Sequence, residues 1–186
     1  MRVISGRAKG RKLKLVPGQT TRPVMDRVKE NLFNILGDTV AGTRWLDLFA
    51  GTGQVGIEAL SRGAAECVFI DTARPAIRTI HENLAHTQLS QFAQVLGMDA
   101  FDYVRTGPGR PFDLVYVAPP QYQGLWLKAL QLIDQKAEAC LTAGGQVIAQ
   151  IHPKEFQELS LVHLRLVDQR RYGATMLCFY EVKRET

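Results

Sequence analysis

Beyond Gly42 the chain alternates short apolar runs with amphipathic stretches. The runs Trp45–Phe49, Cys67–Ile70, Ala93–Leu96, Asp113–Val117 and Gln146–Ile151 are too short for helices and predict buried strands. Between them the spacing turns helical over Gln54–Ser61, Arg74–Leu84, Ala100–Val104 and Leu125–Ala139. Gly63 closes the first of these helices, Pro75 sits in the first turn of the second, and Gly144-Gly145 ends the last. Leu164–Gln169 and Met176–Val182 have no helix between them and predict a hairpin at a sheet edge. Before residue 42 the pattern differs. Arg2–Ser5 and Lys12–Val16 predict two short strands around the turn Gly6-Arg7-Ala8-Lys9-Gly10, and Gly18 to Pro23 is a loop. Val24–Leu36 predicts a helix with Val28, Leu32, Ile35 and Leu36 on one face and Gly37 at its end.

Strands alternating with helices imply an α/β fold of Rossmann-like type. Its sheet is expected to be mostly parallel and seven-stranded, with helices on both faces and a C-terminal antiparallel hairpin. A small basic β-hairpin/helix extension precedes it. The expected division is an extension over 1–42 and a catalytic domain over 43–186. In such sheets ligands sit at the carboxyl ends of strands near the topological switch point.

Charge adds a partner to this picture. The formal net charge is +5. Residues 1–29 hold nine basic residues against Asp26 alone, so the remainder is mildly acidic. This segregation points to a polyanion, most simply nucleic acid, against the plainer alternative of a solvated basic face. Arg2, Arg7, Lys9, Arg11, Lys12, Arg22 and Arg27 are the candidate phosphate contacts. No apolar run reaches the roughly 18 residues of a membrane span, and the amino terminus lacks a signal-peptide core. Cys67, Cys140 and Cys178 are odd in number and lack C-x-x-C spacing, which suits a reducing compartment, the cytoplasm. His81, His86, His152 and His163 show no ligand spacing, so no metal is expected.

The candidate chemistry lies at the predicted strand tips. Trp45-Leu46-Asp47-Leu48-Phe49-Ala50-Gly51-Thr52-Gly53-Gln54-Val55-Gly56 runs from strand through glycine turn to helix. Gly51, Gly53 and Gly56 alone fit the general dinucleotide pattern. Asp47 changes the reading, because a carboxylate there is a poor neighbour for a pyrophosphate. It suits a cation such as the amino-acid end of S-adenosylmethionine. Asp71 ends the next strand, 20 residues after Gly51, where an acid can accept both ribose hydroxyls. Asp99 with Ala100 follows the third strand and could accept from an adenine amino group. Both acids could instead be helix caps. Ala118-Pro119-Pro120-Gln121-Tyr122 follows the fourth strand. Its prolines remove backbone donors and leave carbonyls to point into a cleft, and Tyr122 could stack on a flat base.

Taken in order, these motifs resemble the class I S-adenosylmethionine-dependent methyltransferases, whose amine-methylating branch has D/N-P-P-Y/F at the fourth. Arg2-Val3-Ile4-Ser5-Gly6, Lys9-Gly10-Arg11-Lys12-Leu13 and Thr21-Arg22-Pro23-Val24-Met25-Asp26-Arg27-Val28-Lys29-Glu30 narrow the match. With Leu32-Phe33-Asn34-Ile35-Leu36 and Arg171-Tyr172-Gly173-Ala174-Thr175, they resemble the bacterial RsmD family. The resemblance covers nearly the whole chain. It implies methyl transfer from S-adenosylmethionine to N2 of a guanine in small-subunit ribosomal RNA. The expected partner is that RNA or an assembling subunit, and a monomer is expected. It implies cofactor contacts at Asp47, Phe49, Ala50, Gly51, Gly53, Asp71, Asp99 and Ala100, and acceptor contacts from Ala118 to Tyr122.

One position departs. The family has Asp or Asn where this chain has Ala118, and an aromatic where it has Gln121. The acid or amide normally accepts a hydrogen bond from the target amine. The alternatives are therefore a methyltransferase fold that binds RNA with lost or altered activity, or a DNA amine methyltransferase. A nicotinamide-dependent oxidoreductase shares the glycines and Asp71 but not Asp47 or the double proline.

Overall fold

Glycine-turn strands and amphipathic helices are laid out as the pattern predicts, with revisions at the ends and in the head. The computed structural model describes residues 1–18 and 26–184. Arg22, Val24 and Met25, together with the rest of the Gly18–Pro23 loop beyond Gly18, lie outside the described residues. The class is mixed α/β with seven strands, mostly parallel, and a C-terminal antiparallel pair. The chain forms two units, Met1–Asp99 and Ala100–Thr186.

In the first unit, strands β1 (Arg44–Asp47), β2 (Glu66–Asp71) and β3 (Ala93–Gly97) lie parallel in the order β3-β2-β1. Trp45 pairs with Cys67, and Asp71 with Gly97. Helices α1 (Asp26–Leu36), α2 (Gln54–Ser61) and α3 (Arg74–Thr87) complete it. Trp45, Cys67, Phe69 and Ile70 are fully buried, and the Phe33 ring stacks on Trp45 at 5.6 Å. Every residue of α2 is buried. That is unusual for a helix with one apolar stripe, and the head explains it. Glu58 of α2 accepts the N–H groups of Ile4 (2.9 Å) and Ser5 (3.1 Å). Ser61 accepts from Arg7 and Ala8. Lys29, fully buried on α1, donates to the Arg2 carbonyl at 2.6 Å and lies 3.7 Å from Glu58. The head is packed onto α2 as part of the core.

This packing revises the expected strands of the head. Arg2 and Lys12 make one antiparallel bridge, flanked by bonds between Val3, Gly10, Arg11, Leu13 and Met1. No longer strand forms, because the donors of Ile4 and Ser5 go to Glu58 instead of across the hairpin.

In the second unit, β4 (Phe112–Val117) and β5 (Leu141–Ile151) are parallel, and β7 (Thr175–Val182) pairs antiparallel with β5 and with β6 (Leu164–Tyr172). The C-terminal hairpin is thus present and longer than expected. The predicted helix Leu125–Ala139 is two helices, α5 (Leu125–Gln135) and α6 (Ala137–Cys140), broken at Lys136, whose φ of −110° is not helical. Gly144-Gly145 does not end a helix. It lies inside β5, where pairing jumps from Phe112↔Leu141 to Leu114↔Gln146. The extra β5 residues form a bulge that glycine accommodates. Short α4 (Ala100–Thr106) precedes β4. Buried Asp134 on α5 accepts the N–H groups of Val162, His163 and Leu164 at 2.7–2.9 Å and so ties down the start of β6. Among the described residues no helix is long and apolar enough to cross a membrane. The three cysteines are buried and free.

Candidate active site

The donor end is built at the tip of β1. The chain leaves Asp47, and Ala50 N–H donates to the Ile70 carbonyl at 2.9 Å, keeping the turn against β2. Gly51 and Gly53 have φ of +57° and +79°, a region where a side chain is strained. Among the described residues nothing lies within 4 Å of where a Gly51 side chain would start, so the turn leaves open space there. Gly56 is held by packing instead. A Cβ there would come within 2.4 Å of the Phe69 ring and 2.7 Å of the Cys67 sulfur. Phe49 is half-buried and Ala50 buried.

Asp47 is 1% exposed and accepts the Gly56 N–H at 3.2 Å. Burial pushes its carboxyl up to about 7, against the Gly56 bond and with a smaller push from Asp71. Asp71 is half-buried, and both its oxygens are used. One accepts Gly51 N–H and the other Ala73 N–H, each at 2.9 Å. It thus fastens the glycine turn to the entry of α3. The carboxylate keeps further lone pairs for a ligand. Asp99 ends the first unit directly before α4, which Ala100 opens.

Two buried helix residues that no sequence motif marks hold this turn and the head. Asn83 on α3 is 1% exposed; its amide donates to the carbonyls of Thr52 (2.9 Å) and Lys14 (3.1 Å) and accepts from Lys14 N–H (2.8 Å). Glu58, with Lys29, is the other. The available signal was a polar side chain on the apolar face of an amphipathic helix.

Arg2, Arg7, Lys9, Arg11, Lys12 and Arg27 are exposed in the head. Arg7 lies over the Phe92 ring at 4.7 Å, and Arg11 donates to the His86 carbonyl at 2.7 Å. These contacts aim the side chains without consuming their charge.

The acceptor candidate lies in the second unit, past β4. Ala118 is half-buried, Pro119 buried, and Pro120, Gln121 and Tyr122 exposed. Tyr122 N–H donates to Glu155 at 2.7 Å. Among the described residues no cluster of three or more His, Cys, Asp or Glu could hold a metal.

With this geometry in view, likeness to known proteins becomes decisive. A family model described as "Conserved hypothetical protein 95" matches residues 1–181. The chain belongs to this family, the RsmD family. Bacillus subtilis YlbH, provisionally named an rRNA methyltransferase, is 42% identical over 185 residues, covering 97% of this chain and 98% of that protein. Ribosomal RNA small subunit methyltransferase D of Escherichia coli K12 is 36% identical over 134 residues, covering 72% of this chain and 67% of that one. The solved Escherichia coli protein yhhF, provisionally named a methyltransferase, superposes with a TM-score of 0.86 at 30% identity and 98% coverage of both chains. RsmD membership accounts for the basic head and the glycine turn together.

Proposed function

We propose that this RsmD-family protein transfers a methyl group from S-adenosylmethionine to the exocyclic N2 of a guanine in small-subunit ribosomal RNA. The S-adenosylmethionine-dependent methyltransferase class follows from the family. The observation that carries the donor half is buried Asp47 beside an open glycine turn. A buried carboxylate repels a pyrophosphate and attracts an ammonium, so these residues fit S-adenosylmethionine and not a dinucleotide. When bound, this cofactor supplies a methyl group on a cationic sulfur that departs as a neutral thioether.

The protein's part is chiefly positioning. Asp47, Gly51 and Gly53 hold the amino-acid end, with Phe49 and Ala50 shaping the turn. Asp71 takes the ribose hydroxyls. Asp99 and Ala100 take the adenine. The Ala118–Tyr122 loop takes the guanine, which must leave its stack to be reached. Ala118 has no side-chain acceptor, so its carbonyl and that of Pro119 receive the amine N–H bonds. Arg2, Arg7, Lys9, Arg11, Lys12, Arg22 and Arg27, in a 1–42 extension preceding the 43–186 catalytic domain, grip phosphates. The partner is ribosomal RNA or an assembling small subunit, met by a monomer in the cytoplasm.

The test is nucleoside mass spectrometry of small-subunit RNA from cells lacking the protein. One N2-methylguanosine should disappear and return on complementation; an unchanged profile overturns the assignment. Ala118 also supports a second reading, an RNA-binding protein without transfer. Tritiated methyl incorporation into undermethylated subunits separates the two.

A further inference from the structure

We propose that Glu155 is a positioning residue for the acceptor loop, holding Tyr122 in a left-handed turn so that Tyr122 and His152 form one aromatic platform for the target base. The inference rests on the methyltransferase reading of that loop.

Among the described residues other than glycine, positive φ occurs at Gln88 and Tyr122. Gln88 caps the end of α3, an ordinary place for it. Tyr122, at φ +62°, follows two prolines and caps no helix end. A bulky residue is strained there, and such strain persists only where the surroundings impose it. Burial of the ring does not offset it, since Tyr122 is 63% exposed.

The imposing group is Glu155. His152, Pro153, Lys154 and Glu155 form a tight turn after β5. One Glu155 oxygen accepts His152 N–H at 3.1 Å, completing a capping box with the His152 side chain. The cap needs only that oxygen. The other accepts Tyr122 N–H at 2.7 Å. Pro119 and Pro120 offer no N–H, so an anchor must come after them. Glu155 therefore joins the end of β5 to the acceptor loop.

His152 completes the surface. Its Nδ1 accepts the Lys154 N–H at 3.1 Å, which leaves Nε2 to carry the ring proton and fixes the ring's orientation. The Tyr122 and His152 rings lie 5.4 Å apart at 38°. An exposed ring held by strain against a fixed second ring is arranged to receive a flat ligand on its open face. That ligand is the extruded guanine.

Methyl transfer to undermethylated small subunits tests this. Tyr122→Gly relieves the strain and removes the ring. It is expected to lose about tenfold in kcat/KM for the subunit, as Tyr122→Ala does, with the KM for S-adenosylmethionine unchanged. Glu155→Ala is expected to lose a similar factor. Glu155→Gln, whose carbonyl can still accept one N–H, should recover part of it. The double variant Glu155→Ala/Tyr122→Gly should be no worse than Tyr122→Gly alone, because both changes remove the same platform. Additive losses, or wild-type activity in Tyr122→Gly, overturn the proposal while wild-type turnover leaves the methyltransferase reading standing. Absence of turnover in the wild type overturns both.

Discussion

Asp47 sets a measurable pH signature. Its carboxyl is raised to about 7 in the fold from an ordinary value of 3.8. Below pH 4 both folded and unfolded chains are protonated there. Between pH 4 and 7 the unfolded chain ionises first, so this group's contribution to stability falls as pH rises, by up to about 1.4 kcal/mol per unit. Above 7 it is flat. A cationic ligand favours the ionised form, so S-adenosylmethionine affinity should climb toward pH 7 and then level. In Asp47→Asn both slopes should flatten, read by urea unfolding of the free protein and by calorimetry. Unchanged slopes would take Asp47 out of the site. The sequence showed this acid at a strand tip. It did not show the burial, which depends on Gly56 letting α2 close over β1 and β2.

Helix α2 is where head and glycine turn meet. Glu58 accepts two head N–H groups and an Arg62 bond at 3.0 Å, and faces buried Lys29, whose ammonium burial lowers from its usual value. Glu58→Ala leaves that cation with Asp26, 3.9 Å away, as its remaining acidic partner and should cost about 3 kcal/mol. Thermal unfolding and limited proteolysis should show a lower Tm and earlier cleavage within residues 1–18. Asp134 plays a comparable part in the second unit. Asp134→Ala strands three backbone donors at the start of β6 and should cost roughly 2–4 kcal/mol in urea unfolding. Neither acid was singled out in the sequence, because each reads as an ordinary polar position on a helix until its partners, 28 to 54 residues away, are in place.

For the whole molecule, the proposed role of the basic head as an electrostatic handle for RNA is open to direct test. Replacing Lys9 or Lys12 by Ala should weaken RNA binding uniformly across sequences and reduce the salt slope by about one unit each. Filter binding at graded salt reads both, and an unchanged slope would make these residues solvated surface. The strand-and-helix order, the glycine turn, the acids at strand tips and the family were all legible in the chain, because each is a local pattern of residue type and spacing. The extent of β5, the break at Lys136 and the collapse of the head strands into one bridge were not. They depend on which distant group wins each backbone donor. Sequence by itself determined the class of protein and the placing of Asp47 and the glycines at a strand tip. Only the tertiary structure decided that the head is welded to α2 through Glu58, and that Tyr122 is held in a left-handed turn by Glu155. Hydrogen bonds between remote residues leave no periodic trace along the chain.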